Sequence, residues 1–146
     1  MSGFWGSQIN TLDSKGRINV PAKIRRNLRE ADQDTFILIR GSEPCITLYP
    51  KSVFANKMQE LRQKLSNGRE YRIVTRRLMY QASEQTIDKQ GRLNLPAQLI
   101  DYARLKDEVL IVGYEDKIEI WDPALYQEVV TEAEPEFQKI SEELDF

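Results

Sequence analysis

A chain of 146 residues, 40% hydrophobic and 30% charged, has the size of one ordinary globular domain and can bury a useful core. With no His and a single Cys, Cys45, it lacks Ser-His-Asp and Cys-His nucleophile pairs, a histidine general base, a His/Cys zinc site and an internal disulfide. The net charge of −2 conceals an imbalance. Residues 1–80 hold 15 Lys and Arg against 7 Asp and Glu, and residues 81–146 hold 6 against 16, so the halves are +8 and −10. Such a division suggests a basic surface for nucleic acid or another polyanion.

The opening Met1-Ser2-Gly3-Phe4-Trp5-Gly6 has neither a basic n-region nor an apolar h-region, and the longest apolar runs are far shorter than a membrane span. A cytoplasmic protein with no membrane partner is expected. Phe4 to Leu12 alternates well enough for a strand. Asp13-Ser14-Lys15-Gly16-Arg17 then makes a turn, in which Asp can bond backbone amides and Gly is free to take positive φ. Arg17 to Val20 returns as a hairpin strand, and Pro21 opens a short helix with Ile24 and Leu28 on its apolar side. Strands are predicted at Thr35 to Arg40 and Ile46 to Tyr49, with Cys45 a small buried residue. Ser52 to Leu65 reads as an amphipathic helix capped by Ser52, with Phe54, Met58, Leu61 and Leu65 on one face. The basic run Arg69, Arg72, Arg76 and Arg77 is either a phosphate-binding helix or a solvated face partly packed through its aliphatic stems.

From Ser83 the pattern starts again. Asp13 to Ala22 is answered by Asp88 to Ala97 at an offset of 75, with Asp, Gly, Arg, Asn, Pro and Ala identical. The match resumes at an offset of 72, where Leu38-Ile39-Arg40-Gly41 faces Leu110-Ile111-Val112-Gly113 and Cys45 to Tyr49 faces Lys117 to Trp121. Each copy is β-β-α-β-β, and a unit this small buries too little apolar surface alone, so the two should pair about a pseudo-two-fold axis. A last helix is capped at Asp122 and opened by Pro123, with Leu125, Tyr126, Val129 and Val130 on one side. Past Thr131 the acidic tail is expected to be a weak helix or disordered. The divisions are 4–54 for the first repeat, 55–82 for a helical linker, 83–130 for the second repeat and 131–146 for the tail.

The paired Asp-x-x-Gly-Arg turns, the run Arg17-Ile18-Asn19-Val20-Pro21-Ala22-Lys23 with its counterpart from Arg92, and the strand endings Cys45-Ile46-Thr47-Leu48-Tyr49-Pro50 and Ile118-Glu119-Ile120-Trp121 resemble the MraZ family of bacterial transcriptional regulators. Ser2-Gly3 lengthens the family's usual start. The resemblance implies a β-rich α+β fold: two tandem AbrB-like units forming an intramolecular pseudo-dimeric swapped-hairpin barrel with added helices. It also implies binding to double-stranded DNA at repeated sites upstream of the protein's own operon, among cell-wall and cell-division genes. Repression, assembly into a homo-oligomeric ring and a place in the nucleoid follow from the same resemblance.

The family's DNA-facing pattern transfers to Lys15, Arg17 and Lys23, with Arg25 and Arg26 following on the first helix, and to Lys89 and Arg92 in the second copy. Arginine pairs bidentately with guanine in the major groove, and lysines take phosphates. A structural role for Arg17 and Arg92, each pinning its turn through Asp13 or Asp88, stands beside this. Because Gln98, Ile100 and Asp101 replace Lys23, Arg25 and Arg26, the first half is expected to supply most DNA contact. The +8 and −10 halves favour head-to-tail assembly. No phosphate loop or metal-ligand cluster is visible, so neither cofactor nor small-molecule ligand is expected, and the chain is not expected to be an enzyme. Alternatives are a partner-dependent AbrB-like DNA binder, a ring-forming scaffold, and a carboxylate-dependent hydrolase using Asp13 and Asp88.

Overall fold

Strand and helix signals in the sequence resolve, in a computed structural model, into eight strands and five helices over the described residues 3–146. Met1 and Ser2, part of the segment on which the leader and start-site readings rest, lie outside the described residues. The first half holds β1 (Ser7–Thr11), β2 (Arg17–Asn19), α1 (Ala22–Arg26), β3 (Thr35–Arg40) and β4 (Ile46–Pro50). Helices α2 (Lys51–Lys64) and α3 (Gly68–Met79) follow. The second half repeats the order with β5 (Ser83–Thr86), β6 (Arg92–Asn94), α4 (Ala97–Ala103), β7 (Glu108–Tyr114) and β8 (Lys117–Trp121), and α5 (Pro123–Leu144) closes the chain.

The strands form an open antiparallel sheet in the order β1-β7-β8-β4-β3-β5, together with a separate β2-β6 ribbon. Neither half completes a sheet by itself: β1 of the first pairs with β7 of the second, and β5 of the second with β3 of the first. At the centre of the ribbon Ile18 faces Leu93, and at the centre of the β4-β8 pair Thr47 faces Glu119. Each of these pairs joins a residue to its own counterpart in the other repeat, so the pseudo-two-fold axis passes through both.

Side chains alternate across a strand, and the two faces of the sheet are filled differently. Phe36, Leu38, Ile46, Leu48, Val109, Ile111, Ile118 and Ile120 form one buried cluster with Ile18, Val20, Leu93 and Leu95 of the ribbon and Leu99 of α4. The opposite face carries Cys45, Val112 and Trp121, covered by Leu125, Tyr126 and Val129 of α5. Burial beside the Glu119 carboxylate pushes the Cys45 thiol up to about 12, which leaves it inert.

Burial also corrects the internal alignment of β3 with β7. Leu38 and Ile111 face the ribbon, whereas Leu110 faces α5, so Leu38 corresponds to Ile111 rather than Leu110. A one-residue slip turns every side chain to the wrong face, and the second hairpin absorbs it by being one residue shorter.

Three local expectations change. Pro50, with φ −52° and ψ 141°, occupies the N-cap of α2, and Ser52 gives its hydrogen bonds to Asp32 instead of capping the helix. The first strand begins at Ser7, with Phe4 making an isolated bridge to Glu115. Helix α5 does not weaken at Thr131 but runs to Leu144. Its Ala, Glu, Gln and Lys content favours helix, and it continues through Pro135, which has no backbone N–H and so leaves out one helical hydrogen bond.

Candidate nucleic-acid interface

Each Asp-x-x-Gly-Arg segment folds into the same hydrogen-bonded turn. In the first, the Asp13 carbonyl accepts from the Gly16 N–H at 3.0 Å, and the Asp13 N–H donates to the Arg17 carbonyl at 2.9 Å. Oδ1 of Asp13 accepts the Lys15 and Arg17 amides, both at 2.9 Å, and Oδ2 accepts Nε–H of Arg17 at 2.8 Å. In the second turn Asp88 Oδ1 accepts the Gln90 and Arg92 amides and Oδ2 accepts Arg92 Nε–H, all at 2.9 Å. Gly16 and Gly91 both sit at φ +79°, a conformation an L side chain adopts only with strain.

The pinning role therefore holds for both arginines. It also tells against acid chemistry by the two aspartates. The Arg17 amide, with the Arg17 guanidinium and the Lys15 amide, holds the Asp13 carboxyl below its ordinary value, and Arg92 and Gln90 do the same for Asp88. Carboxylates whose oxygens already serve the turn make poor general acids. Among the described residues no group of three His, Cys, Asp or Glu is placed to hold a metal ion.

Arg17 and Arg92, each paired through Nε and partly exposed, lie on the side of the ribbon opposite the core-facing Ile18 and Leu93. Arg17 stands across from Asn94, and Asn19 across from Arg92. Asn19 and Asn94 are exposed on this same outer face. The sequence reading passed them over as site residues, although their identity at equivalent places in the two repeats is the signal that marks them.

The seven cationic positions do not gather as the linear sequence groups them. The turns lie at opposite ends of the ribbon, and each bonds the segment that leads into the helix of the other repeat: the Gly91 carbonyl accepts from Val20 N–H, and the Gly16 carbonyl from Leu95 N–H, both at 2.8 Å. Arg25 of α1 lies over the second turn, where a Cβ added to Gly91 would sit 3.5 Å from its Cζ. At the first turn the corresponding neighbour is Ile100 of α4, 3.3 Å from a Cβ added to Gly16. Lys15, Lys89, Arg25 and Arg26 are exposed. Lys23 turns away, its Nζ 3.4 Å from the Trp5 carbonyl and 5.8 Å from the centre of the Trp5 ring.

Of the basic run on α3, Arg69, Arg72 and Arg76 are exposed, whereas Arg77 points inward. Its Nη2 donates to the Gly41 carbonyl at 2.8 Å and to the Tyr102 hydroxyl at 3.1 Å. The Arg40 guanidinium packs on Tyr80 and Tyr102, at 4.6 and 5.3 Å from their ring centres. Arg77 thus ties the linker to both repeats.

These features define a tandem-repeat β-rich protein whose halves complete each other's sheet and present two Asp-locked arginine turns. Residues 4–76 and 78–146 each match the family described as "MraZ protein, putative antitoxin-like". The chain is 38% identical over 141 residues to the "Transcriptional regulator MraZ" of Natranaerobius thermophilus, covering 97% of this chain and 96% of that one. With the protein of the same name from Cytophaga hutchinsonii it shares 34% identity over 142 residues, 97% of this chain and 94% of the relative. The chain belongs to the MraZ family. Its relatives are named for transcriptional regulation and not for catalysis, in line with the expectation that it is no enzyme. No helix among the described residues is long and apolar enough to cross a membrane.

Proposed function

We propose that the protein is a sequence-specific DNA-binding transcriptional regulator. It acts at the nucleoid as a repressor of its own operon in a cell-wall and cell-division gene cluster. The observation that carries this reading is the pair of identically locked turns at the two ends of one ribbon, each offering an oriented arginine beside an exposed lysine. A two-stranded ribbon fits the major groove, where oriented guanidinium groups meet guanine edges and lysines neutralise phosphates. The names of the curated relatives support the same reading. Lys15, Arg17, Arg25, Arg26, Lys89 and Arg92 form the DNA face; Lys23 joins it only by leaving Trp5.

The exchanged strands are, in this reading, the AbrB-like swapped-hairpin arrangement of two repeats, 4–54 and 83–130. Several copies in a homo-oligomeric ring, basic half toward acidic half, would bind successive DNA repeats with the gain that effective concentration gives. The test is binding of the purified protein to a duplex from upstream of its gene and to a scrambled duplex across a salt series. Specific binding should weaken with a log-log slope of about −0.9 per neutralised phosphate. Equal, weak binding to both duplexes would remove the reading and turn attention to a scaffold or a partner-dependent regulator.

A further inference from the structure

The two turns are alike in their own bonds and unlike in what stands beside them. Because each turn abuts the helix of the other repeat, the charge next to a turn is set by residues far off in sequence, 66 positions from Arg25 to Gly91 and 84 from Gly16 to Ile100. Beside the Asp88 to Arg92 turn stands Arg25, whose guanidinium covers Gly91, and the exposed Arg26 follows it on α1. Gly91 is buried beneath that cover, whereas Gly16 is partly open. Beside the Asp13 to Arg17 turn the place of Arg25 is taken by Ile100, and the exposed Asp101 follows it on α4.

We infer that the protein carries one strong and one weak DNA half-site. The strong one is a composite of Lys89 and Arg92 from the second repeat with Arg25 and Arg26 from the first. The weak one has Lys15 and Arg17 beside Ile100, with Asp101 next to it on α4. This rests on the DNA reading above and refines the expectation that the first repeat supplies most of the contact: the stronger site draws on both repeats. It has a consequence for recognition. A symmetric pair of half-sites binds a duplex equally well in either direction, whereas an unequal pair distinguishes the two directions on any duplex whose two ends differ in sequence. The exposed Asp101 deepens the difference, since it occupies the position equivalent to Arg26 and a carboxylate there repels a polyanion.

The experiment is fluorescence-anisotropy binding of the full chain to the upstream duplex and a scrambled duplex across a salt series. The variants are Arg25→Ala, Lys89→Ala, Lys15→Ala, the doubles Arg25→Ala/Lys89→Ala and Arg25→Ala/Lys15→Ala, and the gain variant Ile100→Arg/Asp101→Arg. All but Ile100 are exposed, and thermal melts verify that each variant is folded. Arg25→Ala and Lys89→Ala should each weaken binding about tenfold and flatten the salt slope by about one phosphate, while Lys15→Ala should cost about threefold or less. Arg25 and Lys89 should be coupled in a double-mutant cycle, Arg25 and Lys15 additive. Ile100→Arg/Asp101→Arg should tighten binding and steepen the slope. If Lys15→Ala costs as much as Lys89→Ala, if Arg25 couples to Lys15 instead, or if the gain variant gains nothing, the unequal half-sites are wrong. A wild-type protein that does not prefer the upstream duplex sinks the DNA reading itself, a result separable from all of these.

Discussion

Ser52 donates both its amide N–H and its hydroxyl to one carboxylate oxygen of Asp32, and the other oxygen of that carboxylate accepts the Arg29 N–H at 2.9 Å. Asp32 is only 1% exposed, and it joins the 3-10 turn Glu30–Asp32 to the first turn of α2. Burial alone would raise its carboxyl, yet the bonds from Ser52 and Arg29 outweigh burial and hold it below the ordinary value. Asp32→Ala leaves three donors without an acceptor and should cost about 2 kcal/mol. Ser52→Ala removes one donor and should cost less. Urea unfolding of both variants checks the order.

Arg77 tests whether the basic linker is architecture or interface. Arg77→Ala removes the two bonds to Gly41 and Tyr102 and should lower stability by about 1 to 2 kcal/mol while leaving DNA affinity unchanged in variants that remain folded. A drop in affinity with no change in melting temperature would instead place Arg77 on the DNA face.

Acid should loosen both turns together. Asp13 and Asp88 have folded-state values below the ordinary 3.8, so the stability they contribute is present above that pH and is lost as pH falls through the lowered values. Melting temperature followed downward from about pH 5 should fall more steeply for the wild type than for Asp13→Asn/Asp88→Asn, which has no carboxylate to protonate there. Parallel curves would mean the two carboxylates contribute nothing to the turns.

Asn19 and Asn94 share the outer face of the ribbon with the two arginines. Asparagine pairs bidentately with adenine, and a good pair discriminates against the wrong base by about 1 to 3 kcal/mol. Asn19→Ala and Asn94→Ala should therefore relax preference among single-base variants of the DNA site without altering the salt slope. Selection of bound sequences from a randomised pool reads the outcome, and an unchanged preference would confine base reading to the arginines.

Cutting the chain should unfold it. A fragment of residues 1–66 keeps β3 and β4 but leaves β1 and β2 without partners, and a fragment of residues 67–146 keeps β7 and β8 but leaves β5 and β6 without theirs. Neither should melt cooperatively by circular dichroism, and an equimolar mixture should regain the cooperative transition.

Much of this was legible in the sequence because it is local. The Asp-x-x-Gly-Arg turns announce themselves by residue type, and the strand Thr35–Arg40 was placed to the residue by its apolar run. Asp122 and Pro123 mark the start of α5 by capping chemistry, and Asp122 does accept the Leu125 amide. What escaped depends on partners distant in sequence. Ser52 looks like a cap until Asp32 is seen beside it. Leu38 aligns with Leu110 until the sheet shows which face each occupies. The cations of the first repeat read as one patch until the ribbon carries Arg25 to Gly91.

The pseudo-two-fold axis through Ile18/Leu93 and Thr47/Glu119 has a further bearing on how such a protein can change over generations. In a dimer of identical chains every substitution is made twice, so the two sides of the axis are bound to stay the same, and dilution separates them. Tethering both sides in one chain makes their encounter independent of concentration and lets a residue be altered on one side only. Arg25 and Ile100 hold equivalent places and have drifted to opposite chemistries, while the glycines they cover have stayed the same.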